Sequence, residues 1–251
     1  MKDRMRFRRG AYIIPSLFTT GNLLCGYFAV IRGLQGDFET AAIALFVAAL
    51  LDRLDGWVAR LTGTTSDFGV QLDSLADVIS FGMAPALLVY TWALADLPKP
   101  WSLAPFLYLA CGAARLARFN IQAPAQDKRY FVGLPIPAGA CVVAACVFYA
   151  PERITDPITG GLVAVLVALL SILMVSKLRY RSFKEIDLKR RIPWVMVILM
   201  MLVYFVVAAS PQFVALFLSF AYLLSGLVPR FQSRSRPDAR TAAAEGRHGG
   251  A

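Results

Sequence analysis

Histidine is almost missing from this chain: of 251 residues only His248 is one, in an Ala/Gly/Arg-rich tail that begins near Ser233 and is expected to be disordered. A histidine general base and a multi-histidine metal site are thereby excluded. Cysteine is scarce too. Cys25, Cys111, Cys141 and Cys146 are scattered through separate apolar stretches without metal-ligand spacing, and are expected to serve as small packing residues. Charged residues make up only 17% of the chain against 58% hydrophobic, a balance too apolar for a soluble domain. Acids that nevertheless stand inside apolar stretches need a reason.

The long apolar runs predict an all-α, polytopic membrane bundle. A hydrocarbon core of about 30 Å takes roughly 20 apolar residues per helix. Eight candidate spans follow: 12 to 31, 39 to 61, 69 to 92, 101 to 121, 134 to 150, 157 to 176, 193 to 209 and 211 to 228, the fifth and the last two being short. The Ser210-Pro211 break would alternatively divide one long kinked segment. The first span has a basic flank like that of a signal peptide, but it is long, lacks a small-residue cleavage site and is expected to be retained.

Basic residues fix the expected orientation, because cytoplasmic loops keep Lys and Arg. They cluster in residues 2 to 9, at Lys128 and Arg129, between Lys177 and Arg191, and in the tail from Arg230 to Arg247; only Arg32, Lys99 and Arg153 fall on the other side. Both termini are expected in the cytoplasm. The net charge of +10 is then a matter of topology, and no stacking-rich basic groove accompanies it, so no nucleic-acid partner is expected. The N-terminal segment, with Met5 and Phe7 among its bases, also suits anionic headgroups.

The acids are regularly spaced: Asp52, two residues, Asp55-Gly56, two residues, Ala59-Arg60, eight residues, Gly69, three residues, Asp73, three residues, Asp77. Helical periodicity puts Asp52, Asp55, Gly56, Ala59 and Arg60 on one stripe, and Gly69, Asp73 and Asp77 on another. Thr62 to Asp67 joins the two helices, which predicts antiparallel neighbours with four carboxylates converging near the cytoplasmic surface. Gly56 and Gly69 leave room for a ligand or a second backbone. Four negative charges cannot share a partly dehydrated site unless cations join them or some are protonated. Arg60 supplies one positive charge; an all-oxygen donor set suits magnesium or manganese, with calcium possible. Two such metals can clamp a phosphoryl group, so a phosphate ester or anhydride is the expected substrate. Two other readings compete: acids paired with Arg53 and Arg60 or lining a water cavity, and an ion-coupled transporter. The transporter would more naturally carry mid-bilayer acids on broken helices in repeated halves, and no clear internal repeat is present.

With these residues in view, Asp52 through Asp77 resembles the signature of the CDP-alcohol phosphotransferases, matching all eight fixed positions over 26 residues. The resemblance implies a six-helix membrane core, residues 12–176, and transfer of a phosphate-linked group from a CDP-lipid to a hydroxyl with release of CMP. It implies two divalent cations, magnesium or manganese, held by Asp52, Asp55, Asp73 and Asp77, with Asp77 also the base for the attacking hydroxyl. Gly56, Ala59, Arg60 and Gly69 would line the CDP site. Around the core it leaves residues 1–11 as a basic segment, 177–192 as a basic loop, 193–228 as two additional spans and 229–251 as the tail.

Beyond the signature, the segment Ser74 to Gly82 with Pro85-Ala86, the run Arg115 to Asn120, and Phe131 to Pro137 resemble the integral-membrane phosphatidylserine synthases within that family. Thr19, Asn22 and Cys25-Gly26 extend the likeness into the first span, and imply that Thr19 and Asn22 contact the CDP-lipid. Ser16 departs from it, standing after Pro15 where many relatives carry asparagine. CDP-diacylglycerol and L-serine would be the substrates, in a bacterial cytoplasmic membrane, and a homodimer is the usual assembly of the family. Arg115 and Arg118, three apart at a span end, are suited to hold a carboxylate or a phosphate through paired guanidinium hydrogen bonds, or to snorkel to the interface. Asn120 would complete a serine pocket.

Overall fold

A computed structural model describes residues 13–62, 67–122, 130–176, 178–181 and 210–225. The seventh expected span, His248 and most of the basic N-terminal segment, basic loop and tail lie outside the described residues.

Helices α1 (Ile13–Leu34) and α2 (Phe38–Thr62) form a hairpin. Gly36 takes φ +82° at the turn, a backbone conformation open to glycine because it has no Cβ. Asp37 then starts α2: its carboxylate accepts from the Thr40 amide at 3.2 Å and pairs with Arg32 at 3.3 Å, while Arg32 lies over the Phe28 ring. Ala41, Ala42, Ala44 and Ala48 are buried along α2, small residues that let membrane helices approach closely.

The third expected span is one rod in four parts: α3 (Asp67–Asp77), a π segment (Val78–Met83), α4 (Ala84–Val89) and a second π segment (Tyr90–Leu94). Pro85 explains the first widening. It has no N–H and its ring crowds the carbonyl four residues back, so the ladder opens in the turn before it. That turn begins directly after Asp77, and π turns of this kind gather at functional positions.

A 3-10 turn (Lys99–Ser102) leads into α5 (Leu103–Gln122), followed by α6 (Ile136–Tyr149), α7 (Pro157–Val175) and α8 (Pro211–Ser225). Proline stands near the start of α6 and at the first position of α7 and α8, where a missing N–H removes no helical hydrogen bond. Asp156 caps α7 by accepting from the Thr159 amide and hydroxyl, bonds that hold its carboxyl below the usual range. The all-α expectation holds, with one addition: β1 (Tyr130–Val132) pairs antiparallel with β2 (Arg179–Arg181) in a three-residue ladder.

Seven of the eight expected stretches are helices among the described residues. Three helices are long and apolar enough to cross a bilayer by themselves: Leu17–Leu34, Phe68–Leu94 and Pro157–Val175. Ile136–Tyr149 and Pro211–Ser225 are apolar but shorter. Helix α2 is long enough, but its C-terminal half carries Asp52, Arg53, Asp55 and Arg60, so its polar end is stabilised by protein neighbours rather than lipid.

Phe81, Leu88, Tyr108, Leu134, Ile136, Leu170 and Met174 fill the core between the third rod and α5, α6 and α7. Leu17, Leu24, Leu162, Ile172 and Phe217 face outward, as they should where the solvent is acyl chain. At the end far from Asp52, the Trp92 indole donates to the Ala150 and Glu152 carbonyls, both at 2.9 Å, and Arg153 pairs with Asp96.

Helix α1 crosses the third rod at Gly26. A Cβ there would lie 2.5 Å from Ser80 Oγ and 2.7 Å from its Cα, and Ser80 also donates to the Asn22 carbonyl. Gly26→Ala is therefore expected to destabilise the protein by about 1–3 kcal/mol through overpacking, read as a lower melting temperature in detergent. An unchanged melting temperature would mean that α1 shifts freely at this crossing.

Candidate active site

Helical spacing brings Asp52 near the end of α2 and Asp73 and Asp77 along α3 to one point. One carboxylate oxygen from each lies within 4.8 Å of the others. Asp77 is buried and its Oδ1 has no hydrogen-bond partner. Asp55 is buried as well and accepts a hydrogen bond from Thr19 Oγ1 of α1. Three of the four expected carboxylates thus converge directly, and the fourth is tied to the first helix.

The expected packing of the two signature helices needs correction. Their stripes meet through the carboxylates, but α2 and α3 barely touch along their backbones. Helix α1 instead packs against both.

The competing reading, in which Arg53 and Arg60 pair with the acids, finds no described ion pair at the cluster, and the Arg60 side chain lies outside the described residues. Among the described residues the ion pairs are Arg32–Asp37 and Arg153–Asp96, at the opposite end, and none involves the cluster. Arg53 is exposed. Ala59 and Arg60 belong to α2 by backbone, but their side chains lie outside the described residues, as does that of Ser16. Gly56 and Gly69 are half-buried on the two signature helices.

Asn22 is fully buried, one helical turn after Thr19, and both polar atoms of its side-chain amide are unpartnered. A buried primary amide with no partner is disfavoured by about 1–3 kcal/mol per group, so this side chain is suited to a ligand that supplies both a donor and an acceptor. It stands on the helix that also holds Asp55.

Helix α5 brings the arginines. Arg115 is buried, with Nε unpartnered, and the charge of Asp77 acts on it. Arg118 donates to the Val175 carbonyl at the end of α7 at 3.3 Å, while its second terminal nitrogen is buried without a partner. Arg115 therefore does not snorkel; it turns inward toward the acids. Asn120 donates to Ser74 Oγ at 2.9 Å, linking α5 to α3 between Asp73 and Asp77. Its amide serves first as a brace.

The β1–β2 ladder ties the start of α6 to the end of α7. The Gly133 amide donates to the Leu178 carbonyl at 2.7 Å, and Leu134 to the Leu173 carbonyl at 3.0 Å. Gly133 has φ +80°, and a Cβ there would lie 2.3 Å from the Met174 carbonyl oxygen, so only glycine fits.

The donor set fits a divalent cation. It is all oxygen, it converges, it includes a buried oxygen with no other partner, and no described basic side chain neutralises it in an ion pair.

Comparison with known proteins agrees with this arrangement. The family model for CDP-alcohol phosphatidyltransferase matches residues 12–176. A CDP-diacylglycerol–serine O-phosphatidyltransferase of Helicobacter pylori is 37% identical over 194 residues, covering 77% of this chain and 82% of that one. The Bacillus subtilis enzyme of the same name is 38% identical over 174 residues, covering 68% and 92%. An archaetidylserine synthase of Methanothermobacter thermautotrophicus is 37% identical over 169 residues, covering 66% and 69%. A match across two thirds of the sequence, anchored on carboxylates that the fold brings together, makes the chain a member of the CDP-alcohol phosphatidyltransferase family.

Proposed function

We propose that this protein transfers the phosphatidyl group of CDP-diacylglycerol to L-serine, giving phosphatidylserine and CMP. The observation that carries the reading is the meeting of Asp52, Asp73 and Asp77 within 4.8 Å beside the inward-facing Arg115. An acidic point for a diphosphate bridged by cations thus stands next to a guanidinium suited to an anionic acceptor. The names of the relatives support serine as that acceptor: all three contain it, although the lipid differs.

Asp52, Asp73 and Asp77 would hold divalent cations, magnesium or manganese, with Asp55 as a further ligand. Bound there, such cations neutralise the diphosphate and stabilise charge on the leaving oxygen. Thr19 holds the Asp55 carboxylate, and Asn22, Gly56, Ala59, Arg60 and Gly69 receive the CDP moiety. Arg115 and Arg118 orient the serine carboxylate, and Asp77 accepts the seryl hydroxyl proton. The seryl oxygen then forms a bond to the phosphorus bearing diacylglycerol, the anhydride bond breaks, and CMP departs. A carboxylate is a weak base for an alcohol, so orientation and electrostatic stabilisation carry much of the acceleration.

Acyl chains enter from the lipid and serine from the cytoplasm, which requires the acidic end of α2 to face the cytoplasm, in a bacterial cytoplasmic membrane with both termini inside. The excess of Lys and Arg on that side supports the orientation. A homodimer completes the proposal.

The test is CMP release by purified protein in detergent–lipid micelles with CDP-diacylglycerol and magnesium or manganese, supplied separately with L-serine, glycerol 3-phosphate or inositol phosphate. Release with serine alone is the expected result. Release only with a phosphorylated acceptor would make the protein a sibling phosphatidyltransferase, and cation binding without CMP release would point to transport.

Arg118→Ala is expected to raise the KM for serine about tenfold, the loss of a charge-assisted hydrogen bond, with little change in the KM for CDP-diacylglycerol. Unchanged serine affinity would remove Arg118 from the pocket.

A further inference from the structure

Helix α3 carries Asp73 and Asp77 but is lightly held. Among the described residues, α1 is the helix that it packs against along its backbone, and α3 and α5 touch little. Phe68, Val70 and Leu75 are exposed, and the regular helical ladder gives way to the π segment directly after Asp77. Carboxylates within 4.8 Å of one another repel whenever they are ionised, and a turn of α3 about its own axis would relieve them. Something must oppose that turn.

A side-chain bridge does so. Asn120 Nδ2, in the last turn of α5, donates to Ser74 Oγ at 2.9 Å, and Ser74 Oγ donates to the Val70 carbonyl at 3.0 Å, one turn back on α3. A hydroxyl has a single proton, and Ser74 gives it to Val70, so it meets Asn120 as an acceptor and the amide is the donor that fits. Ser74 follows Asp73 directly and shares a helix face with Asp77, three residues on. The helix at the other end of the bridge is well anchored. It packs along α7, its Tyr108 and Leu116 are buried, and Arg118, two residues before Asn120, donates to the Val175 carbonyl at 3.3 Å.

We propose that Asn120 and Ser74 are positioning residues of the cation site: their bridge fixes the rotation of α3, and with it the approach of Asp73 and Asp77 to Asp52, so that the protein is set to receive a divalent cation before substrate arrives. The inference rests on the cation reading given above. It moves Asn120 from the serine pocket to the support of the acids, with neither side chain touching substrate. Ligands of a metal need their orientation held by neighbouring groups, and loss of such a neighbour weakens binding by about 10- to 100-fold.

The experiment measures manganese binding to the full chain in detergent, without substrate, from the paramagnetic resonance signal of the free ion. Wild type is compared with Ser74→Ala, Asn120→Ala, the double variant and Ser74→Thr, which keeps the hydroxyl. Each alanine variant is expected to raise the Kd for manganese about tenfold. The double variant should lose no more than either alone, because the same bridge is broken in all three, and Ser74→Thr should bind like wild type. The metal-free melting temperatures should change little, and at saturating manganese the KM for L-serine should be that of wild type. The proposal is overturned if either alanine variant binds manganese as tightly as wild type, since the bridge would then serve the fold alone, or if the two losses add in the double variant. It is equally overturned if Asn120→Ala raises the serine KM at saturating manganese, which would return Asn120 to the pocket. A wild type that binds no manganese would overturn the cation reading itself, and the proposal with it, so the wild-type measurement tells the two failures apart.

Discussion

Asp77→Asn is expected to reduce CMP release by about a thousandfold while the protein remains folded, the size of effect associated with loss of a positioned general base. The substitution keeps the shape of the side chain and removes the group that accepts the hydroxyl proton. Asp77 is buried beside Asp52 and Asp73, so replacing it with a neutral amide also removes like-charge repulsion. The melting temperature of the metal-free variant should therefore match or exceed that of the metal-free wild type. Activity and stability moving in opposite directions is the pattern expected of a functional carboxylate held in an unfavourable place. A variant retaining more than a tenth of wild-type turnover would reassign the base. Asp52→Asn provides the comparison: part of its lost rate should return when manganese is raised, because a weakened ligand can be compensated by mass action, whereas a missing base cannot.

Chelation is expected to have the second large effect. EDTA should bring CMP release to background, and magnesium or manganese should restore it. Binding to the folded state alone stabilises by mass action, about 2.7 kcal/mol at a cation concentration one hundred times its dissociation constant. Adding manganese to chelated protein should accordingly raise the melting temperature with no substrate present. Asp73→Asn should abolish that rise. This thermal readout separates cation binding at the carboxylates from any effect of cations on the substrate diphosphate. If the melting temperature ignores manganese while activity requires it, the cation arrives with the nucleotide and not on the protein.

The same geometry explains how much could be read before any coordinates. Periodicity alone put Asp73 and Asp77 on one face of one helix and Asp52 and Asp55 on one face of another, because 3.6 residues per turn is a local property. Apolar run length likewise identified helices at all seven of the expected stretches that fall among the described residues.

The separation of the signature helices was not legible. A short linker between two helices suggests packed neighbours, but whether they touch depends on what else competes for their faces. Here α1 packs against both. Asp55 shows the consequence: it shares a sequence stripe with Asp52, and only the fold shows that its carboxylate accepts a hydrogen bond from Thr19 of the first helix. Asn120 is another such case. Its spacing from Arg115 and Arg118 suggested a pocket residue, and the fold adds that its amide donates to Ser74, next to Asp73.

The sequence by itself determined that this is a helical membrane protein with a four-carboxylate phosphoryl-transfer motif, because hydropathy and helical phase are encoded residue by residue. Only the tertiary structure decided which three acids meet and that Arg115 is buried rather than at the surface. Those relations join residues far apart in the chain, and they follow from how whole helix faces compete for one another in a bilayer, where packing rather than hydrophobicity selects the partner.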